Sequence, residues 1–280
     1  MWRRAADSAM MKENDKGNKQ QKASRMFGQH PAHAMFTQAC KSGDLAAVKH
    51  LFTPLRAKKP DKDGRVCIHH ACLAGHLHVA QWLQSQGVAL DAVDNEGSQP
   101  IHDACFEGHF DVVQWLHVIG LVRLDVVNND GNTPMHFVAG EGHLHIAQWL
   151  HTQGVAIDMP NCDGNRPIHF AAGEGHLEVV LWMHARGCKL DVQNNFGNEA
   201  IHFAAGEGHL PIVQWLYAQG VALNATNDNG AQPVDFAGHH ANVLQWMQEQ
   251  GVRRNMQFDT KTMKGPHLMH NTPKIHSGEI

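Results

Sequence analysis

The sequence predicts an all-α repeat array: a solenoid of stacked helical units, each too small to bury its own apolar face. Three observations carry this reading. First, one motif recurs six times, as LAGHLHVAQWL at 73–83, FEGHFDVVQWL at 106–116, GEGHLHIAQWL at 140–150, GEGHLEVVLWM at 173–183, GEGHLPIVQWL at 206–216 and a shortened AGHHANVLQWM at 237–247. Its tryptophans fall at 82, 115, 149, 182, 215 and 246, in steps of 33, 34, 33, 33 and 31. A fixed period of that size is the signature of a repeat architecture. Second, a block lies upstream of each of the first five: VCIHHAC at 66–72, QPIHDAC at 99–105, TPMHFVA at 133–139, RPIHFAA at 166–172 and EAIHFAA at 199–205. Third, a turn-rich segment precedes every block, from DKDGR and DNEGS through NNDGN, NCDGN and NNFGN to NDNGA.

Taken in chain order, each element has a physical reason. Residues 1–31 are polar and read as a disordered basic segment. An N-terminal half unit, AMFTQACKSGDLAAVKHLF, follows at 34–52. Each full unit then opens with a tight turn, as at Asn129-Asp130-Gly131. A short apolar helix comes next. Pro100, Pro134, Pro167 and Pro233 suit its first position, where a missing N–H costs nothing. The second helix is amphipathic: Leu144, Ile146, Ala147, Trp149 and Leu150 make a stripe one helix face wide. The glycine after it (Gly87, Gly120, Gly154, Gly187, Gly220, Gly251) is suited to the left-handed turn that ends a helix. Stacking buries what one unit leaves exposed. The resulting organisation is a half unit at 32–62, repeats near 63–95, 96–129, 130–162, 163–195 and 196–228, a truncated cap at 229–251, and a disordered tail at 252–280.

Composition narrows the class. Hydrophobic residues make up 42% and charged residues 18% of 280, as in a folded rather than a disordered chain. No apolar run approaches the ~20 residues of a membrane helix, and the N-terminus lacks the apolar core of a secretory signal. The expected compartment is cytoplasmic or nuclear, with the six cysteines reduced. Residues 1–31 carry seven basic and three acidic residues, 252–280 five and two, and the body between them 11 and 22. An acidic body is ill suited to nucleic acid, whose affinity comes mainly from phosphate contacts.

These units resemble ankyrin repeats. The period near 33, the Thr133-Pro134-Met135-His136 block and the Gly-His-Leu motif all match that family, over about 63–251. The resemblance implies paired antiparallel helices, hairpin-like loops at about a right angle, and a curved stack that binds other proteins on its concave side. It also implies that His69, His102, His136, His169 and His202 hydrogen-bond the backbone of neighbouring loops. There are departures. Tryptophan replaces the usual leucine. The capping threonine survives only as Thr133, replaced elsewhere by Val66, Gln99, Arg166, Glu199 and Gln232, and each lost cap is expected to cost about 1 kcal/mol. Asp235 replaces the block histidine in the last unit.

Register separates chemistry from packing. The histidine after glycine recurs at 76, 109, 143, 176 and 209, but the position two residues on holds His78, Asp111, His145, Glu178 and Pro211. A metal pair would not be rewritten that way, so no metal is expected there. CIHHAC at 67–72 suggests zinc, yet Cys72 aligns with Cys105, Ala139, Ala172 and Ala205, a small packed position. The tryptophans, lying in the apolar stripe, are expected to be buried between units. No phosphate loop, G-x-S-x-G or H-E-x-x-H occurs, and the ends outside the array are short for an independent core. Neither an enzyme nor a cofactor is expected.

Two features point to a partner. Glu107, Glu141, Glu174 and Glu207 share one register position, which the family often uses for partner contacts, and would form an acidic stripe that steers a basic or helical protein partner. The turn tips vary, with Phe196 standing where others have Asp or Glu; Phe106, Arg65 and Cys162 are further candidates. The reading is a monomeric, non-catalytic protein-binding scaffold. An adaptor that delivers a substrate to an enzyme complex, such as a ubiquitin ligase or phosphatase, is the alternative.

Overall fold

The computed structural model describes residues 31–118 and 122–253. The two tails and Gly120 lie outside the described residues. Fifteen helices follow in order among those described: α1 Pro31–Ser42, α2 Leu45–Leu51, α3 Pro54–Ala57, α4 Cys67–Leu73, α5 Leu77–Ser85, α6 Pro100–Phe106, α7 Phe110–Val118, α8 Pro134–Gly140, α9 Leu144–Thr152, α10 Pro167–Gly173, α11 Leu177–Ala185, α12 Ala200–Gly206, α13 Leu210–Ala218, α14 Pro233–Phe236 and α15 Ala241–Glu249. None is long and apolar enough to cross a membrane.

The helices form two rows. α1, α4, α6, α8, α10, α12 and α14 make the inner row, each packed against the next. α2, α5, α7, α9, α11, α13 and α15 make the outer row, each outer helix following the inner helix of its unit. Contacts therefore run to sequence neighbours, as in a solenoid. The core runs along the seam between the rows. The third block position (Ile68, Ile101, Met135, Ile168, Ile201) is fully buried, and so are Leu83, Leu116, Leu150, Met183 and Leu216 of the outer helices. Burying each such side chain contributes about 1.5–3 kcal/mol.

Short helices of seven residues need fixed ends, and the structure shows how each is fixed. Prolines stand at the first turn of α6, α8, α10 and α14. Gly87, Gly154, Gly187, Gly220 and Gly251 have φ between 80° and 92°, the left-handed conformation expected of them. The expected threonine cap is corrected. Thr133 makes no side-chain cap bond to α8; its hydroxyl lies 2.9 Å from His136 Nδ1. The cap that recurs runs the other way. The backbone N–H of Val66, Gln99, Thr133, Arg166 and Glu199 donates to Nδ1 of the histidine three residues on, at 2.8–3.2 Å. In the last unit Asp235 Oδ2 accepts the same bond from Gln232. Varying the cap residue therefore costs little, because its backbone makes the contact.

Nδ1 accepts, so each block histidine is neutral with its proton on Nε2. That N–H donates to a loop carbonyl: His69 to Ser98, His102 to Val126, His136 to Asn165 and His169 to Val192, at 3.0–3.2 Å. Burial pushes all five imidazoles, His202 included, down to about 4.

Units are also tied at the loops and at the Gly-His motif. Asn128, Asn161, Asn194 and Asn227 each accept two backbone N–H bonds of their own turn through Oδ1. Asn161, Asn194 and Asn227 then donate through Nδ2 to Asn132, Asn165 and Asn198 of the unit before. His76, His109, His143 and His240 reach back from the outer helices to carbonyls of Lys41, Leu73, Phe106 and Gly206. The imidazoles lie over Gly43, Gly75, Gly108 and Gly208, where a Cβ would come within 2.3–2.7 Å of a ring atom.

The tryptophans correct an expectation. Only Trp182, at 8% exposure, is buried; Trp82, Trp115, Trp149, Trp215 and Trp246 are half-buried. The inward stripe of each outer helix is centred on residues such as Ile146, Ala147 and Leu150, which leaves Trp149 at its border. There the indoles meet rings of the preceding unit edge-on: Phe110 and His117 against Trp149, His151 against Trp182, His184 against Trp215 and Tyr217 against Trp246, at 5.5–5.9 Å.

Candidate partner-binding surface

Glu107, Glu141, Glu174 and Glu207 stand at the C-terminal caps of α6, α8, α10 and α12, one per unit. The inner helices are adjacent, so the four carboxylates form a line across the stack. Glu107 and Glu141 are half-buried; Glu174 and Glu207 are exposed. Partial burial pushes the Glu141 carboxyl up to about 7, aided by the charges of Glu174 and Glu107. Glu174 is raised for the same reasons, with Glu207 as its neighbour. The carboxylates thus sense one another along the line. Among the described residues none of the four joins an ion pair. A negative group at a helix C-terminus also faces the negative end of the helix dipole, which disfavours it by roughly 0.3–1 kcal/mol. Stability therefore gives no reason to repeat an acid there.

Phe106 precedes Glu107 and is half-buried, its ring 6.4 Å from that of Phe137. The other units hold Leu73, Gly140, Gly173 and Gly206 at its position, so the floor beside the acids narrows to glycine along the stack. Phe196 is 46% exposed at a turn tip. Its backbone is held on both sides: its N–H donates to Asn194 Oδ1 at 3.0 Å, and its carbonyl accepts from Asp228 N–H at 3.1 Å. The aromatic ring is presented from a fixed base. Cys162 is exposed at the neighbouring tip.

Arg65 does not belong to this surface. It is 8% exposed, with Nε 3.5 Å from Asp94 Oδ2 and a terminal nitrogen 3.4 Å from Asp103 Oδ1. Its register mates Ser98, Asn132, Asn165 and Asn198 are all buried as well. The fifth turn residue points into the stack, where the later units place their asparagine ladder; the guanidinium lies against Asp94 and Asp103 instead. Asp103 is enclosed, and burial raises its carboxyl to about 8 despite Arg65.

The two metal-like sequence clusters lie in different settings. His78, Asp111, His145, Glu178 and Pro211 are all exposed on the outer helices. Cys67 and Cys72 are buried and their thiols are raised by desolvation; Cys67 Sγ–H points to the Ala57 carbonyl at 3.3 Å. His70 lies 3.1 Å from Asp61 Oδ2. No group of three or more His, Cys, Asp or Glu among the described residues is placed to hold a metal ion.

Sequence reasoning missed one surface feature. A groove of about 540 Å³ opens between the second and third units, lined by Val122, Leu124, Val127, Val155 and Met159. The 34-residue step between Trp115 and Trp149, one longer than the 33 on either side, was the only signal of irregular packing there.

No curated protein matches the chain. A family model described as ankyrin repeats matches it in three copies, at residues 36–120, 117–194 and 168–257, so the chain belongs to the ankyrin repeat family.

Proposed function

We propose that this chain is a non-catalytic scaffold that docks a basic or helical protein segment along the inner helices, with the turn tips as flanking contacts. Ankyrin repeats are generally protein–protein interaction modules. One observation carries the reading: four carboxylates, one per unit and without an ion pair among the described residues, lie in a line at a helix end where the helix dipole disfavours them. The surface is preformed, held by caps, the asparagine ladder and the histidine bonds, so docking orders little of the scaffold. Phe196 supplies an aromatic anchor at the edge, and Phe106 an apolar contact beside Glu107.

The test begins with crosslinking mass spectrometry in native lysate to identify partners. Glu107, Glu141, Glu174 and Glu207 are then reversed to lysine in the full chain. Partners captured by the wild type are expected to be lost while the thermal midpoint holds. Retention of every partner by the reversed chain removes the stripe from the account.

A further inference from the structure

The acidic line has a complement within the same chain. Among residues 12–28, Lys16, Lys19, Lys22 and Arg25 are spaced every three residues, and the same spacing meets Glu13 before them and Gly28 after them. The register thus holds four cations, matching the four glutamates. The residues between them are Gly17, Asn18, Gln20, Gln21, Ala23 and Ser24, small or polar and uncharged. A chain in polyproline-II geometry rises about 3.1 Å per residue with three residues per turn, which puts every third side chain on one side, about 9 Å apart. Packed helices lie about 8–10 Å apart. The two spacings agree.

Reach agrees as well. Arg25 lies six residues before Pro31, the first residue of α1, and six extended residues span about 20 Å. Two steps along the inner row, α1 to α4 and α4 to α6, lead across to Glu107, each about 8–10 Å, and because Pro31 opens α1 while Glu107 follows the end of α6 the path also runs about 16 Å along the helices. The span is about 24 Å in all, and the Arg25 and Glu107 side chains cover what six extended residues leave. The partial burial that lifts Glu141 also leaves its carboxylate less hydrated, and so more responsive to a cation.

We propose that residues 16–25 lie along the acidic line of their own chain, Arg25 towards Glu107, Lys22 towards Glu141, Lys19 towards Glu174 and Lys16 towards Glu207, and compete with an incoming basic partner. This rests on the docking surface proposed above and adds its resident occupant. The segment acts as a tethered decoy: a partner engages only when its affinity exceeds that of a segment held at an effective concentration of about 1 mM.

The experiment uses the purified full chain. A carbodiimide, which joins carboxylates directly to amines, is expected to link Lys16, Lys19 and Lys22 to Glu107, Glu141, Glu174 and Glu207. The yield should be independent of protein concentration and fall in about 1 M salt, where screening acts within about 3 Å. In parallel, a labelled synthetic peptide with four lysines spaced three residues apart is titrated into the wild type and into a K16Q/K19Q/K22Q/R25Q chain of equal thermal midpoint. The neutralised chain is expected to bind about tenfold more tightly, the relief from a decoy at about 1 mM effective concentration and roughly 0.1 mM affinity. Crosslinks spread over outer-face acids such as Asp111 and Glu178, crosslinks only between copies, or equal peptide affinity in both chains would overturn the proposal. If Glu141→Gln still weakens the peptide in that event, the docking surface stands and only its resident occupant is lost. If the peptide ignores the glutamates, both readings fall.

Discussion

The block histidines make the array sensitive to mild acid. Each imidazole accepts an N–H at Nδ1, so protonation there must break its cap, and burial holds all five at about 4 in the folded state. The unfolded value is about 6.5. A depressed folded pKa gives stability that is present above pH 6.5 and lost as pH falls towards 4. Within that window each histidine removes about 1.36 kcal/mol per pH unit, so about 2 kcal/mol by pH 5. Five of them remove about 10 kcal/mol, comparable to the whole stability of a typical domain, about 5–15 kcal/mol. His33 and His70, also lowered chiefly by burial, add in the same direction. Five carboxyls gain stability as pH falls and offset part of this loss: Asp103, raised to about 8, Glu141, raised to about 7, and Glu96, Glu174 and Glu199, raised chiefly by burial; these seven lowered histidines outnumber them. The assay is urea unfolding followed by far-ultraviolet circular dichroism at pH 7.5, 6.5, 5.5 and 5. The midpoint should drop steeply below 6.5, and His169→Gln should remove about one fifth of the histidine-derived slope. A midpoint flat from pH 7.5 to 5, or an unchanged slope in the variant, would refute the reasoning.

Further outcomes follow from single contacts. Gly142→Ala and Gly154→Ala both place a side chain at positive φ, at a cost of about 1–2 kcal/mol, but only at Gly142 would the new Cβ meet a ring, that of His176 at 2.3 Å; thermal unfolding should show Gly142→Ala as the more damaging of the two. Arg65→Ala should cost about 3–5 kcal/mol by chemical denaturation, because it strands the buried Asp94 carboxylate; a loss below 1 kcal/mol would contradict its structural role. Trp149→Leu should cost about 0.5–1.5 kcal/mol beyond lost area, from the ring contacts to Phe110 and His117, read as a shift in urea midpoint. Binding of a cationic peptide should strengthen as pH rises through 7, where Glu141 loses its proton, and fluorescence anisotropy at pH 6 and 8 measures that directly.

The period made the fold legible, because each element repeats with its reason attached: proline at the first turn, glycine past the second helix, an apolar stripe between them. Residues defined by a single local rule read less well. Threonine preference suggested a cap at Thr133, yet the cap is made by His136, three residues on, and only the three-dimensional turn shows which partner bonds. Arg65 looked like a tip residue because its neighbours Asp63 and Gly64 are turn formers; its direction depends on where the following turn places Asp94. The tryptophans fell in the stripe by periodicity, but the helices meet along Leu150 and its equivalents, so the indoles sit at the margin. Of the candidate surface, the glutamates and Phe196 were readable because they break or repeat a register. The asparagine ladder was not, since asparagine in a turn satisfies its own backbone equally well without a neighbour.

The proposed docking places the partner against the inner row. The most direct measurement is hydrogen exchange on the full chain, read by mass spectrometry with and without a captured partner at saturating concentration. Protection is predicted at the C-terminal ends of α6, α8, α10 and α12 and at the turn holding Phe196, with the outer helices unchanged. Protection confined to the outer row, or none on the inner one, would contradict it.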